Sequence, residues 1–346
     1  MHPAFAPVLS AIRAGPIPAA AAAAGRPGRV ECLALGRLDA RPESPRATVA
    51  TLFDLASLTK VLCTAVLVSR DVAAGRIDPD APLAENLPGV GPELAGVTVR
   101  QLVTHTSGLA ALSELRFWNL AREDALRRSA QAVPAGPAGE IVYSDQGYIL
   151  LGWLLERLHG RRLDALAEDL YRPLGLDLRF LPIGEGHGHD RARSARTEIQ
   201  PGAAEALQGV VHDENAQALL GVAGHAGLFG SVGGVAGLLE ALLDGRVLNP
   251  DGLGFLTAPK VTGRDGERRA AGWILASPGW FGGRTPATTL GHTGFTGTAA
   301  WFDPPSGRLA VFLTNRVCPS RDLNSGIVEL RAAFGTAAFA QPLEPA

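Results

Sequence analysis

Ser57-Leu58-Thr59-Lys60 sets a hydroxyl and an amine three residues apart. On a helix that spacing puts both groups on one face, within reach of each other. A serine hydroxyl is a poor nucleophile until a neighbour takes its proton. A lysine stripped of water has a lowered pKa and can share in that task. The chain has only two lysines, Lys60 and Lys260, and Lys60 runs into the apolar Val61-Leu62-Cys63. A charge in such a run is costly unless something requires it. The start of a helix also favours negative charge developing near Ser57. Taken alone, the tetrapeptide is common by chance and reads as structural.

Two further groups matter. Tyr143-Ser144-Asp145 follows a loop marked by Pro134, Gly136, Pro137 and Gly139. Tyr143 could act as a general base if cations lower its pKa; otherwise it packs at a helix entrance, with Ser144 or Asp145 as the N-cap. His292-Thr293-Gly294, followed by Phe295, ends an expected strand. Gly294 would let a substrate backbone approach the sheet edge. His292 and Thr293 could donate hydrogen bonds to a substrate carboxylate or carbonyl; the plain alternative is an ordinary strand-end turn.

Together and in this order, the three groups resemble the signatures of the serine β-lactamase and penicillin-binding-protein-like hydrolases: Ser-x-x-Lys, Tyr-x-Asn and Lys/His-Thr-Gly. The chain looks closest to the branch holding class C β-lactamases, family VIII esterases and D-aminopeptidases. The likeness extends over about residues 28–335, through Phe53-Asp54-Leu55-Ala56, Leu102-Val103-Thr104-His105-Thr106-Ser107-Gly108-Leu109, Val211-His212-Asp213-Glu214-Asn215-Ala216 and Gly224-His225-Ala226-Gly227-Leu228-Phe229. The resemblance implies that Ser57 forms an acyl-enzyme, Lys60 takes or steers its proton, and Tyr143 is base or relay. It implies an oxyanion hole from the backbone N–H groups of Ser57 and Phe295, and substrate contacts from Asp145, His292, Thr293 and Gly294. His225 would border the pocket. No metal or organic cofactor is implied.

Two departures stand out. Asp145 replaces the usual Asn; an ionised Asp only accepts hydrogen bonds, and it could pair with Lys60 and move the base role to Tyr143. His292 replaces the commoner Lys and loses a fixed positive charge at neutral pH. An ester or peptide substrate is therefore expected over a β-lactam carboxylate. The expected function is a serine hydrolase acting on a small ester, amide or β-lactam-like molecule, with esterase favoured. The alternative is a weakened penicillin-binding or peptide-sensing module that acylates without turnover. A protein that merely keeps the fold is disfavoured by Ser57, Lys60 and Tyr143 occurring together.

The elements that must position these groups read as follows. A short helix is expected at 5–14, then strands at 18–24 and 29–38 joined through Gly25-Arg26-Pro27-Gly28. The apolar run 61–74 reads as a buried helix stopped by Gly75. Helices are expected at 99–103, 147–159, 163–171, 215–220 and 235–243; residues 110–142 read as mixed, with a loop marked by Pro134, Gly136, Pro137 and Gly139, and 181–202 as a loop. Strands follow at 269–277, 288–292, 297–303 and 308–315, then a closing helix at 326–339. Strands at both chain ends and helices between them predict an α+β fold of the β-lactamase/transpeptidase-like kind, in which the ends build one antiparallel sheet flanked by helices, plus an all-helical region. The expected division is 1–75 with 255–346 as the sheet domain and 76–254 as the mainly helical domain, with the active site between them.

The composition fits that reading. Of 346 residues 46% are hydrophobic, which excludes global disorder. The net charge of −2 lacks the basic footprint of a nucleic-acid binder. Cys32, Cys63 and Cys318 give neither a disulfide framework nor zinc spacing. Residues 1–14 lack the cationic start and long apolar core of an export signal, and Ala19–Ala24 is too short to cross a bilayer. A cytoplasmic protein with a small-molecule substrate and no membrane or nucleic-acid partner is expected. His105 is expected to be scaffold, and His212 to order a loop with Asp213. His187-Gly188-His189-Asp190 and Arg191, Arg193 and Arg196 are expected to be solvated surface.

Overall fold

The computed structural model describes residues 2–276 and 281–340. Its strands are β1 (Ala19–Arg26), β2 (Arg29–Gly36), β3 (Phe53–Asp54), β4 (Leu178–Phe180), β5 (Leu228–Gly230), β6 (Val261–Thr262), β7 (Arg268–Arg269), β8 (Ile274–Leu275), β9 (Leu290–Thr293), β10 (Ala299–Asp303) and β11 (Arg308–Thr314). Eight of them form one antiparallel sheet in the order β2-β1-β11-β10-β9-β8-β7-β6. Both ends of the chain therefore build a single sheet, as the sequence pattern predicts.

The alanine run in β1 shows how the layers stack. Successive side chains on a strand point to opposite faces. Ala19, Ala21 and Ala23 face the core that also holds Val235 and Leu239 of the helix Val232–Leu243. Ala20, Ala22 and Ala24 face a second core with Phe5 and Phe334, from the helices Phe5–Ala14 and Ile327–Phe339. A strand buried on both faces reads as a continuous apolar run rather than an alternating one.

Two helices carry the candidate chemistry. The chain leaves β3, turns at Ala56-Ser57 and enters a wide π-helical turn, Lys60–Thr64, before the α-helix Ala65–Ala73. The second helix, Asp145–His159, starts at Ser144, whose Oγ accepts the Gly147 N–H at 3.2 Å. A capping hydroxyl stabilises a helix start by about 1 kcal/mol. Ser144, not Asp145, is therefore the cap, and the Asp145 side chain is left for another role.

The structure differs from the sequence reading in several places. The strand expected at 269–277 is two short strands, β7 and β8, separated by a turn at Gly272 with φ +78°. That turn lets the Gly272 N–H reach the Val103 carbonyl at 2.9 Å; Ser277 lies outside the described residues. The small sheet β3-β5-β4 was missed, because strands of two or three residues have no legible period. The mixed stretch 110–142 holds the short helices Leu115–Trp118 and Arg122–Ser129, and the expected loop 181–202 contains the short helix Gly188–Ala192. The arginines of 191–196 are anchors rather than a solvated face. Arg193 pairs with Asp177 and Asp190, Arg196 with Glu205, and Arg191 donates to the carbonyls of Gly209 and Pro182.

Candidate active site

Ser57 follows Ala56, which is held at φ 48°, a left-handed conformation unusual for a side chain with a Cβ. Such a residue costs about 1–3 kcal/mol and persists only when its surroundings enforce it. Asp54 enforces it here. Its Oδ1 accepts the Ala56 N–H at 2.9 Å and its Oδ2 accepts the His212 N–H at 2.7 Å. Thr296 and Thr298 hydroxyls donate to the carbonyls of Asp54 and Leu55 at 2.7 and 3.0 Å. The turn is thus fastened to the end of the large sheet.

Lys60 is fully buried, and its Nζ has three oxygen neighbours. Its Nζ lies 3.1 Å from Ser57 Oγ, 3.1 Å from the His225 carbonyl and 2.8 Å from Asp145 Oδ1. Burial alone would lower its pKa; the negative charge of Asp145, helped by Tyr143, outweighs that and raises it well above the ordinary lysine value. Lys60 is therefore an ammonium. It lies 4.9 Å from the centre of the Tyr143 ring.

The turn Thr104–Gly108 holds Tyr143 in place. His105, at φ 60°, accepts the Ser144 N–H on Nδ1 at 2.9 Å, and its ring lies 4.6 Å from that of Tyr143. Burial, with Arg269 and Lys60 nearby, drives its pKa far down, so it is neutral. His105 is scaffold.

The opposite wall is the end of β9, paired with β10 so that His292 faces Ala300 and Thr293 faces Ala299. Burial lowers His292 to about 3, and the charges of Lys60 and Arg269 push the same way. Its ring nitrogen Nδ1 lies 2.8 Å from the Thr293 carbonyl. A carbonyl only accepts, so Nδ1 carries the proton and Nε2 is left as an acceptor. His292 is thus a neutral acceptor rather than the donor expected for a substrate carboxylate. At Gly294 a Cβ would lie 2.1 Å from Thr298 Oγ1 and 2.5 Å from the Leu55 carbonyl. Glycine is needed there because the strand end is pressed against the Ser57 turn.

These walls enclose a cavity of about 1040 Å³ lined by Ser57, Tyr143, His292, Thr293, Gly294 and Phe295, among others. Four arginines that the sequence reading missed also line it, Arg264, Arg269, Arg316 and Arg331. Arg269 is 4% exposed, pairs through Nε with Glu267 at 2.6 Å, and lies 5.7 Å from the Tyr143 ring centre. Arg331 donates to the carbonyls of Gly294 and Thr298 at 2.5 and 3.0 Å, and burial pushes it down to about 9. Arg316 donates to the Phe295 carbonyl at 2.9 Å. A charged residue inside the apolar helix 326–339 was the available signal for Arg331, the same signal that made Lys60 conspicuous.

Asp145 and His225 do not line this cavity; both contact Lys60. His212 pairs with Glu198 at 2.9 Å, not with Asp213, which instead accepts from His225 at 2.8 Å. His189 is exposed at the surface, as expected.

A family model described as Beta-lactamase matches residues 6–333. The chain belongs to the β-lactamase family. It is 29% identical to a protein of Escherichia coli (strain K12) named as a D-alanyl-D-alanine carboxypeptidase, over 78% of this chain and 70% of the relative. It is 30% identical to a protein of Bacillus subtilis (strain 168) named N-acetylmuramyl-L-alanine amidase, over 77% of this chain and 68% of the relative. Among solved structures, a penicillin-binding protein homologue from Caulobacter crescentus superposes with a TM-score of 0.75 at 25% identity, covering 96% of this chain and 97% of that one. The fold is the β-lactamase/transpeptidase-like one, and the protein is of the hydrolase type that β-lactamases and penicillin-binding proteins represent. No helix among the described residues is long and apolar enough to cross a membrane.

Proposed function

We propose that the protein is a serine acyl hydrolase whose nucleophile is Ser57. The observation that carries this reading is the contact of Ser57 Oγ, on the wall of the large cavity, with the buried Lys60 ammonium at 3.1 Å. Ser57 Oγ attacks the substrate carbonyl, and Tyr143, acting as general base, takes the hydroxyl proton. Lys60, held charged by Asp145, orients Ser57 and stabilises the negative charge that develops on Ser57 Oγ as its proton passes to Tyr143. The N–H groups of Ser57 and Phe295 receive the developing oxyanion; removing one such donor typically costs about 10²–10³-fold in rate. Tyr143 returns the proton to the leaving oxygen or nitrogen as the carbonyl re-forms, leaving an ester on Ser57. Water, deprotonated by Tyr143, then releases the acid and restores Ser57. The cleft lies between a sheet domain (1–75 and 255–346) and a mainly helical domain (76–254) in this reading.

A small ester is the favoured substrate, because the neutral His292 offers no cation to a β-lactam carboxylate. A second reading has its own support. Arg269, Arg316 and Arg331 line the cavity, and the relatives are named for cleaving amide bonds in peptides and muramyl compounds. A peptide ending in a carboxylate fits those arginines. Turnover of p-nitrophenyl acetate and butyrate, a chromogenic cephalosporin and a D-alanyl-D-alanine peptide separates them. Ester turnover with weak cephalosporin and peptide turnover supports the first reading; dominant peptide turnover supports the second. Acylation without release would identify a binding module and overturn both.

A further inference from the structure

Next to Lys60 lies a second, half-buried carboxylate that takes no part in the acyl transfer just described. Asp213 Oδ1 accepts the Ala216 N–H at 2.8 Å and also lies 2.8 Å from His225 Nε2. His225 is 1% exposed, and its carbonyl is the third partner of the Lys60 ammonium. One ligand atom from each of Asp145, Asp213 and His225 lies within 4.8 Å of the others. Such a donor set could surround a metal ion, but the cation beside it is Lys60, 2.8 Å from Asp145.

The backbone around this pair is clamped. The Gly224 carbonyl accepts the Thr64 hydroxyl at 2.7 Å. A Cβ on Gly224 would lie 2.0 Å from the Tyr148 carbonyl and 3.0 Å from Gly152 Cα, so only glycine lets this segment press against the helix Asp145–His159. Asp54 ties the same loop to the nucleophile turn by holding the N–H groups of His212 and Ala56 together. The groups that hold Ser57, Lys60 and His225 thus form one connected set.

We propose that Asp213 and His225 are positioning residues for acyl transfer: they fix the His225 carbonyl against Lys60 and set a second carboxylate beside the Lys60–Asp145 pair. The inference rests on Ser57 being the nucleophile. The charge balance around Lys60 gives it a pH signature. Asp145, Tyr143 and Tyr148 face Lys60 from the segment that leads into and forms the helix Asp145–His159; Asp213 caps the short helix Glu214–Ala218, and His225 comes from the loop before β5. His105 comes from the turn 104–108, His292 from β9 and Arg269 from β7, which faces Tyr143. Both of these histidines are neutral, so Asp145 and Asp213 are the carboxylates set against Lys60, while Arg269 has its own partner in Glu267. Losing the Asp213 charge leaves the cluster more positive and makes its protons easier to remove.

The test uses the full-length protein, an activated ester as substrate, and a fluorophosphonate to count active sites. For Asp213→Asn and for His225→Leu, kcat per titrated site falls about 10- to 100-fold, the scale of a slightly misplaced catalytic group. KM stays within about twofold, as for an interaction made only in the transition state. The kcat–pH limb that titrates the cluster moves to lower pH in Asp213→Asn. His225→Gln, whose amide can still donate to Asp213, regains most of the loss. A fall only in the number of titratable sites, with kcat per site and the pH profile unchanged, would show a purely structural role and overturn the inference. Ser57→Ala is run in parallel. If it stays active, the nucleophile assignment fails; if it is dead while the Asp213 and His225 variants match wild type, only the positioning role fails.

Discussion

Lys60 and His292 stand on opposite walls of one cleft, and both are buried basic side chains. Their fates differ. Lys60 keeps its charge because Asp145 lies 2.8 Å away. Among the described residues His292 has no carboxylate partner; it contacts a carbonyl, and burial drives it to about 3. Desolvation acts against the charged form in both. A counter-ion decides the outcome, so a basic residue in a signature motif does not by itself reveal the charge of the wall it forms. Here the nucleophile side carries the fixed charge pair, and the β9 side is neutral with its positive charge moved outward to Arg269, Arg316 and Arg331.

The largest effect comes from removing the charge that is kept. Lys60→Met lowers ester turnover by about 10³-fold or more, the scale seen when a member of a catalytic set is lost. It also strands the Asp145 carboxylate, at about 3–5 kcal/mol. Adding Asp145→Asn restores much of the melting temperature but none of the turnover; recovery of both would mean the pair is only structural.

The neutral wall gives the next effect, with a sign set by linkage. The folded-state pKa of His292, about 3, lies below its ordinary 6.5. Below pH 6.5 the unfolded chain takes up a proton that the folded chain refuses, so stability is lost as pH falls from 6.5 towards 3. The loss is on the order of 3 kcal/mol between pH 7 and 4. Urea unfolding at both pH values measures it, and His292→Gln flattens the difference. An unchanged slope in that variant would contradict a neutral, buried His292.

Gly294→Ala tests how the two walls are joined. Its methyl would overlap Thr298 Oγ1 and the Leu55 carbonyl, which costs about 1–3 kcal/mol and displaces Ser57. Thermal unfolding and ester turnover both fall; a neutral result would show that the walls move independently. Smallest is His292→Lys, which restores a cation to the β9 wall. It improves KM for a carboxylate-bearing substrate over a neutral ester by about tenfold, the value of one charge-assisted hydrogen bond. No shift in preference would mean that the arginines already fill that role.

Much of this was legible in the sequence because chemistry constrains residue type at fixed spacing. Ser57, Lys60, Tyr143 and His292 were singled out that way, and the structure brings them close together; the two-ended sheet followed from where the strands fall. The Asp145–Lys60 pair was also anticipated, as one consequence of Asp replacing Asn. What escaped depends on distant parts of the chain meeting. Asp213 sits beside His212 in sequence, yet its partner is His225, and His212 pairs with Glu198. Arg269 and Arg331 reach the cleft from β7 and from the last helix. The strands β3, β4 and β5 are too short for any period, and Gly272 splits a run that alternates like one strand.

The central claim is that Ser57 carries the acyl group. Wild type and Ser57→Ala are treated with a fluorophosphonate, weighed intact, digested and mapped, with p-nitrophenyl butyrate turnover followed in the same samples. The account predicts a single adduct in wild type on the peptide containing Ser57, with turnover lost as it forms, and neither adduct nor turnover in Ser57→Ala. An adduct on another residue, or wild-type turnover in Ser57→Ala, would contradict it.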